Sequence, residues 1–171
     1  LEKDLKLIFV SPKLSSIVQH TLKTSDNLYA NAILLTLGAV IRNEGSFESG
    51  TAVLSDHVKS TSSTNTPQPR IQAGSGLSRS NGVSAKSLSL VLAAASDANK
   101  QILMKGMRTS SQDNALHYKS GYLDGVRCYA GYYDRGDELF AYAIMANGVS
   151  GSSSAISRKM RAFISGVMNT R

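Results

Sequence analysis

The sequence predicts an α+β fold. A helical first part precedes a three-stranded antiparallel sheet, with a C-terminal helix on one face of that sheet and the helical group on the other. Three observations carry this expectation. Between Ser11 and Arg108 the apolar residues recur mainly at helical spacing. From Leu116 to Val149 they gather in short runs cut by turn residues. After Ser152 the helical spacing returns.

Leu5 to Val10 reads as a short strand stopped by Ser11-Pro12. Leu14, Ile17, Val18, Thr21 and Leu22 then mark one face of a helix. Thr24 to Asn27 interrupts it with cap and turn residues. A second helix, Leu28 to Arg42, is apolar nearly all round and is therefore expected to be buried. Asn43-Glu44-Gly45 ends it. A weaker helix spans Phe47 to Val58, and Ser60 to Pro69 is a loop. Gly74-Ser75-Gly76 is a tight turn, and Val83 to Ala95 is another helix. Lys100 to Asn114 is mixed, with a polar loop from Thr109.

Tyr118 to Tyr122, Val126 to Tyr133 and Leu139 to Ala146 are the expected strands, joined by Asp124-Gly125 and by Asp134 to Asp137. The last is a nearly continuous apolar run, which suits a strand covered on both faces. Ile156, Met160, Phe163, Ile164, Val167 and Met168 form one helical stripe, opened by capping serines at Ser152 to Ser154. The helical part thus covers about residues 11–108, and the sheet with its helix about 116–170.

The bulk properties exclude several classes. The formal net charge of +7 raises the question of nucleic acid, but the basic residues are scattered and no nucleic-acid partner is expected. The single cysteine, Cys128, cannot form an internal disulfide. His20, His57 and His117 lack zinc spacing, so neither metal nor cofactor is expected. No apolar stretch is long enough for a transmembrane segment.

Three segments could carry chemistry. Ser25-Asp26-Asn27 lies between two helices, and capping explains it only in part. No Glu or Gln follows at the third position to complete a capping box. In a connecting loop, Ser25 and Asn27 can point into one cleft. Lys119-Ser120-Gly121 lies in a strand. Its lysine and hydroxyl suit a carboxylate, and its glycine lets a ligand approach the backbone. The plain alternative is an edge strand kept soluble by lysine. Gly74 to Arg79 matches neither a nucleophile elbow nor a dinucleotide fingerprint, and alone it is a turn.

Taken together, in this order, the three segments resemble the penicillin-binding D-alanyl-D-alanine carboxypeptidases of the DacB type. Ser25-Asp26-Asn27-Leu28-Tyr29-Ala30 is similar to the family's Ser-x-Asn region. Gly74-Ser75-Gly76-Leu77-Ser78-Arg79 resembles its Asp-Gly-Ser-Gly-Leu-Ser-Arg signature. Lys119-Ser120-Gly121, Leu123, Gly125-Val126 and Ala130-Gly131-Tyr132 resemble its Lys-Thr-Gly strand and the next one. The resemblance implies a beta-lactamase/transpeptidase-like fold, of which this chain would be the C-terminal portion. It implies hydrolysis of peptidoglycan stem peptides through a serine acyl-enzyme, binding of beta-lactams and a periplasmic or otherwise extracytoplasmic setting.

By the same resemblance Ser25, Asn27 and Lys119 are catalytic. Ser25 would relay protons, Asn27 would bind the substrate amide, and Lys119 with Ser120 would hold the terminal carboxylate. Gly121 and the backbone N–H of Tyr122 complete the substrate site, the latter as an oxyanion donor.

Departures qualify this. No Ser or Thr has a lysine three residues later, so the family's Ser-x-x-Lys nucleophile motif is absent and this chain alone is expected to be inactive. The family's sheet has two further N-terminal strands, and their absence would leave an edge open to self-association. Ala73 replaces an aspartate, Ser120 a threonine, and Ser80 a common aromatic. A non-catalytic peptidoglycan-binding or regulatory module descended from the enzyme is the alternative reading.

Overall fold

Serine caps and glycine or aspartate turns divide the described residues into ten elements. The computed structural model describes residues 10–62 and 65–170, and the strand expected from Leu5 falls outside them. The helical part holds α1 (Leu14–Thr24), α2 (Asn27–Arg42), α3 (Phe47–Thr61), α4 (Ala85–Ala94) and α5 (Asp97–Gly106). The sheet holds β1 (Arg108–Ser110), β2 (Asp113–Leu123), β3 (Val126–Asp134) and β4 (Leu139–Asn147), followed by α6 (Ser153–Asn169). Ser46, Ser84, Ser96 and Ser152 each accept a backbone N–H at the start of the helix they precede.

The sheet is an antiparallel meander in the order β1-β2-β3-β4. Among the described residues it therefore has four strands rather than the expected three. The stretch read as mixed from Lys100 resolves into α5 and β1, and β1 is too short to leave a pattern of its own. On one face, Leu116, Tyr129, Tyr133 and Tyr142 pack with Met160 and Ile164 of α6. On the other face the helical group is anchored by Tyr132, whose hydroxyl donates to the Leu92 carbonyl of α4 at 2.9 Å. Tyr132 is fully buried, and burial pushes its pKa up to about 12.

Two expected burial patterns are corrected. Along α2 only Leu34 and Gly38 are buried, whereas Leu28, Val40 and Ile41 are 77 %, 72 % and 61 % exposed. This helix packs closely against α3 on one side and leaves its other apolar side uncovered. On α6, Met160 and Ile164 are buried, but Phe163 is 63 % exposed. The apolar stripe is wider than the strip of sheet it meets.

Tyrosine hydroxyls in this core need partners, and one of them needs a glycine. Tyr142 of β4 donates to the His117 carbonyl of β2 at 3.0 Å, across the intervening strand. Gly131 of β3 lies between them, and a Cβ there would run into the His117 carbonyl oxygen. Gly131→Ala should lower the free energy of unfolding by about 1–3 kcal/mol, and Tyr142→Phe by about 1 kcal/mol. Urea titration followed by tyrosine fluorescence measures both. An unchanged midpoint for Gly131→Ala would refute the steric argument.

Candidate functional site

The Ser25-Asp26-Asn27 segment is the break between α1 and α2. Ser25 ends α1 in the left-handed region (φ 57°), and its N–H reaches the Thr21 carbonyl. Asp26 is the cap of α2, accepting the Tyr29 N–H at 2.9 Å. Capping thus accounts for the aspartate alone. Ser25 and Asn27 are exposed, and among the described residues their side chains make no hydrogen bond.

Lys119, Ser120, Gly121 and Tyr122 occupy the second half of β2. Strand alternation sends Lys119 and Gly121, paired with Ala130 and Cys128, to the same face as Tyr132 and the helical group. Ser120 and Tyr122, paired with Tyr129 and Arg127, face the α6 side. The two groups expected to hold one carboxylate thus leave opposite faces of the strand, and a ligand can meet both only along its edge. Among the described residues that edge is open: β1 pairs with β2 no further than Tyr118, and no other described strand lies on the outer side of Lys119 to Leu123.

Lys119 is half-buried, and its Nζ donates to the Ser120 carbonyl at 2.6 Å. Burial holds its pKa below the usual lysine range, and the Arg108 guanidinium adds to the depression. Among the described residues it has no carboxylate partner. A Cβ added at Gly121 would meet only the Cβ of Cys128, at an ordinary 3.5 Å. No contact inside the chain therefore requires glycine there. Tyr122 is 63 % exposed, and its ring carries the Arg127 guanidinium at 3.6 Å.

No hydrogen bond joins the two motifs directly. Two braces link the helical part that carries the first motif to the sheet that carries the second. The first is the segment from Arg70 to Gly82, closed on itself by a pair of backbone hydrogen bonds between those two residues. Its Gly74 lies against the Ala30 carbonyl of α2, and its Ser75 N–H donates to Asn31 Oδ1 at 3.0 Å. Its Arg79 donates through both terminal nitrogens to the Asp124 carbonyl in the β2–β3 turn, at 3.3 Å. The second brace is the end of α5, where a Cβ on Gly106 would stand 2.8 Å from Gln19 Cα of α1. Two residues later the chain enters β1 at Arg108.

Sequence reading missed Arg127 and Arg108. Arg127 is buried, donates to the Leu123 and Val126 carbonyls at 2.8 and 2.7 Å and to Ser153 Oγ at 3.2 Å, and so ties the turn to the start of α6. Within an apolar strand nothing in its position marks that role. Arg108 lies in the stretch that reads as mixed, just before its polar loop begins at Thr109.

A cavity of about 510 Å³ lies among α1, α3, α4 and α5, and one of about 480 Å³ lies between the β1–β2 turn and the end of α6. Neither contains a motif residue. Among the described residues there is no group of three His, Cys, Asp or Glu that could hold a metal, and no helix long and apolar enough to cross a membrane.

The model of the D-Ala-D-Ala carboxypeptidase 3 (S13) family matches residues 5–168. The chain belongs to this family. No curated protein matches it. Among solved structures it is similar to penicillin binding protein 4 (DacB) from Haemophilus influenzae, with a TM-score of 0.66 and 23 % identity over 81 % of this chain and 34 % of that one. A predatory endopeptidase from Bdellovibrio bacteriovorus, in complex with an immunity protein, has a TM-score of 0.66 and 19 % identity over 92 % of this chain and 44 % of its own. A predatory peptidoglycan endopeptidase from the same organism has a TM-score of 0.61 and 16 % identity, over 92 % and 43 %. At these identities the likeness is one of fold. The chain of this S13-family member spans well under half the length of each solved relative.

The Lys119 charge has a consequence for stability. Its folded pKa lies below the unfolded value of 10.5, so the unfolded state binds more protons between the two. Stability contributed by neutral Lys119 is present above 10.5 and lost as pH falls through the folded value. Lys119→Met removes this cost, so at pH 7 to 8 the variant should melt higher than the parent. The difference should shrink as pH approaches 10. An equal or lower melting temperature at pH 7 would contradict the assignment.

Proposed function

We propose that this chain provides the substrate-binding side of a serine-type D-Ala-D-Ala carboxypeptidase or endopeptidase, acting on peptidoglycan stem peptides outside the cytoplasm. One observation carries the reading: Lys119, half-buried and without an acid partner among the described residues, stands at the point where the outer edge of β2 opens. A peptide lying along that edge gains backbone hydrogen bonds, and a terminal carboxylate finds a cation and the Ser120 hydroxyl. Gly121, which no internal contact requires, leaves room for the peptide backbone.

In this reading the Tyr122 N–H is one oxyanion donor, and the Arg127 stack steadies that residue. Ser25 and Asn27, whose side chains make no hydrogen bond among the described residues, face the substrate. Ser25 relays a proton, and Asn27 binds an amide. The acyl-enzyme forms on a serine of a Ser-x-x-Lys motif that residues 1–171 do not contain. The chain is then the C-terminal part of a transpeptidase-like domain, and beta-lactams acylate the parent protein rather than this part alone.

The lack of Ser-x-x-Lys and the alanine at position 73 favour a second reading, a peptidoglycan-binding module without catalysis. A Ser-x-x-Lys in the remainder of the parent sequence rules it out.

The 171-residue chain should hydrolyse no D-Ala-D-Ala peptide and take up no mass from a labelled penicillin. It should nevertheless bind the peptide, with Lys119→Ala weakening binding by about tenfold. Stoichiometric acylation of this chain would overturn the placement of the nucleophile elsewhere. Unimpaired binding by Lys119→Ala would overturn the carboxylate site. Self-association through the outer edge of β4, which has no strand neighbour among the described residues, belongs to the same proposal. Sedimentation equilibrium should then report a dimer or larger species, and a monomer at high concentration would count against it.

A further inference from the structure

The open edge of β2 has a direction and a stop. β1 runs antiparallel to β2, with Arg108 opposite Tyr118 as the outermost pair. A peptide laid antiparallel on Lys119 to Leu123 would therefore lie in line with β1 and run the same way. It would enter beside Leu123, and its C-terminal end would arrive at Met107 and Arg108. That stop is rigid, because Gly106, just before it, sits against the backbone of Gln19 in α1.

The charges at the stop match a chain end. Lys119 approaches from the face of the helical group. Arg108 shares its face with Tyr118, hence with Ser120 on the α6 side. Arg108 is exposed, and among the described residues its guanidinium has neither a hydrogen bond nor an acid partner. It is close enough to Lys119 to disfavour the lysine's charge. Two cations meeting across one strand edge repel each other until an anion comes between them.

We propose that Arg108 is a specificity-determining residue: with Lys119 it grips a peptide's terminal carboxylate from the opposite face of β2, and the Met107–Arg108 backbone closes the slot to peptides that continue past it. This rests on the reading of the β2 edge as the stem-peptide site. It adds a selection for a free carboxylate over an amide, by both charge and blockage.

The test is a two-dimensional NMR titration of the isotope-labelled 171-residue chain with two peptides. One ends in D-Ala-D-Ala with a free carboxylate, and the other is its C-terminal amide. The parent chain should bind the free acid at least about tenfold more tightly than the amide. Arg108→Ala should weaken the acid about tenfold, leave the amide unchanged and so erase most of the preference. Arg108→Lys should restore part of it. Arg108→Ala binding the acid as tightly as the parent, while Lys119→Ala does not, would overturn the inference and spare the site reading. Binding of neither peptide by the parent chain would overturn both.

Discussion

The feature on which the rest of this molecule depends is a mismatch of strand lengths. β2 is eleven residues long, β1 three. One side of β2 is paired with β3 along its second half, and the other side is bare from Lys119 onward among the described residues. An unpaired strand edge exposes donors and acceptors in a fixed row, and proteins usually cover or blunt such a row. Here the outer edge is left open where a lysine, a hydroxyl and a glycine follow one another. The edge is also held still. The Arg127 guanidinium ties the end of β2 to its turn and to α6, and Arg79 ties the same turn to the helical part.

Close backbone approach joins the Tyr132 anchor in placing the helical group. Gly106 against Gln19 and Gly74 against Ala30 each admit no Cβ without movement. Gly106 leads into β1, and the Gly74 segment reaches the β2–β3 turn through Arg79, so both contacts tie the helical part to the sheet. Asp26 takes the capping duty in the α1–α2 break, and its two neighbours leave their side chains exposed.

Much of this was legible in the sequence, and the failures have physical causes. Helices with a clear apolar period and a serine cap, such as α4 and α6, were placed to within two residues. The hairpin at Asp124-Gly125 was legible because Gly125 takes a positive φ of 73° there, which glycine tolerates best. β1 was missed because three residues show no alternation. The burial of α2 was misjudged because composition reports how apolar a helix is, and only packing decides how many of its sides are covered. Arg127 escaped notice because a buried guanidinium satisfied by carbonyls looks, in sequence, like any polar residue in a strand. The three motifs were legible together because their order carries information that none holds alone.

The cations draw the sharpest line between structure and function. Arg127 is buried but satisfied: two carbonyls, a hydroxyl and an aromatic face take its donors and charge. It costs little to keep, and its place in the fold explains it fully. Lys119 has one carbonyl, its own neighbour's, and a depressed pKa that records an unfavourable charge. Arg108 adds to that cost and has no acid partner of its own among the described residues. Folding alone favours replacing such a pair by neutral residues. Among the described residues, then, a half-buried lysine stands beside an arginine and neither meets a carboxylate, so packing accounts for Arg127 and leaves this pair without an internal partner.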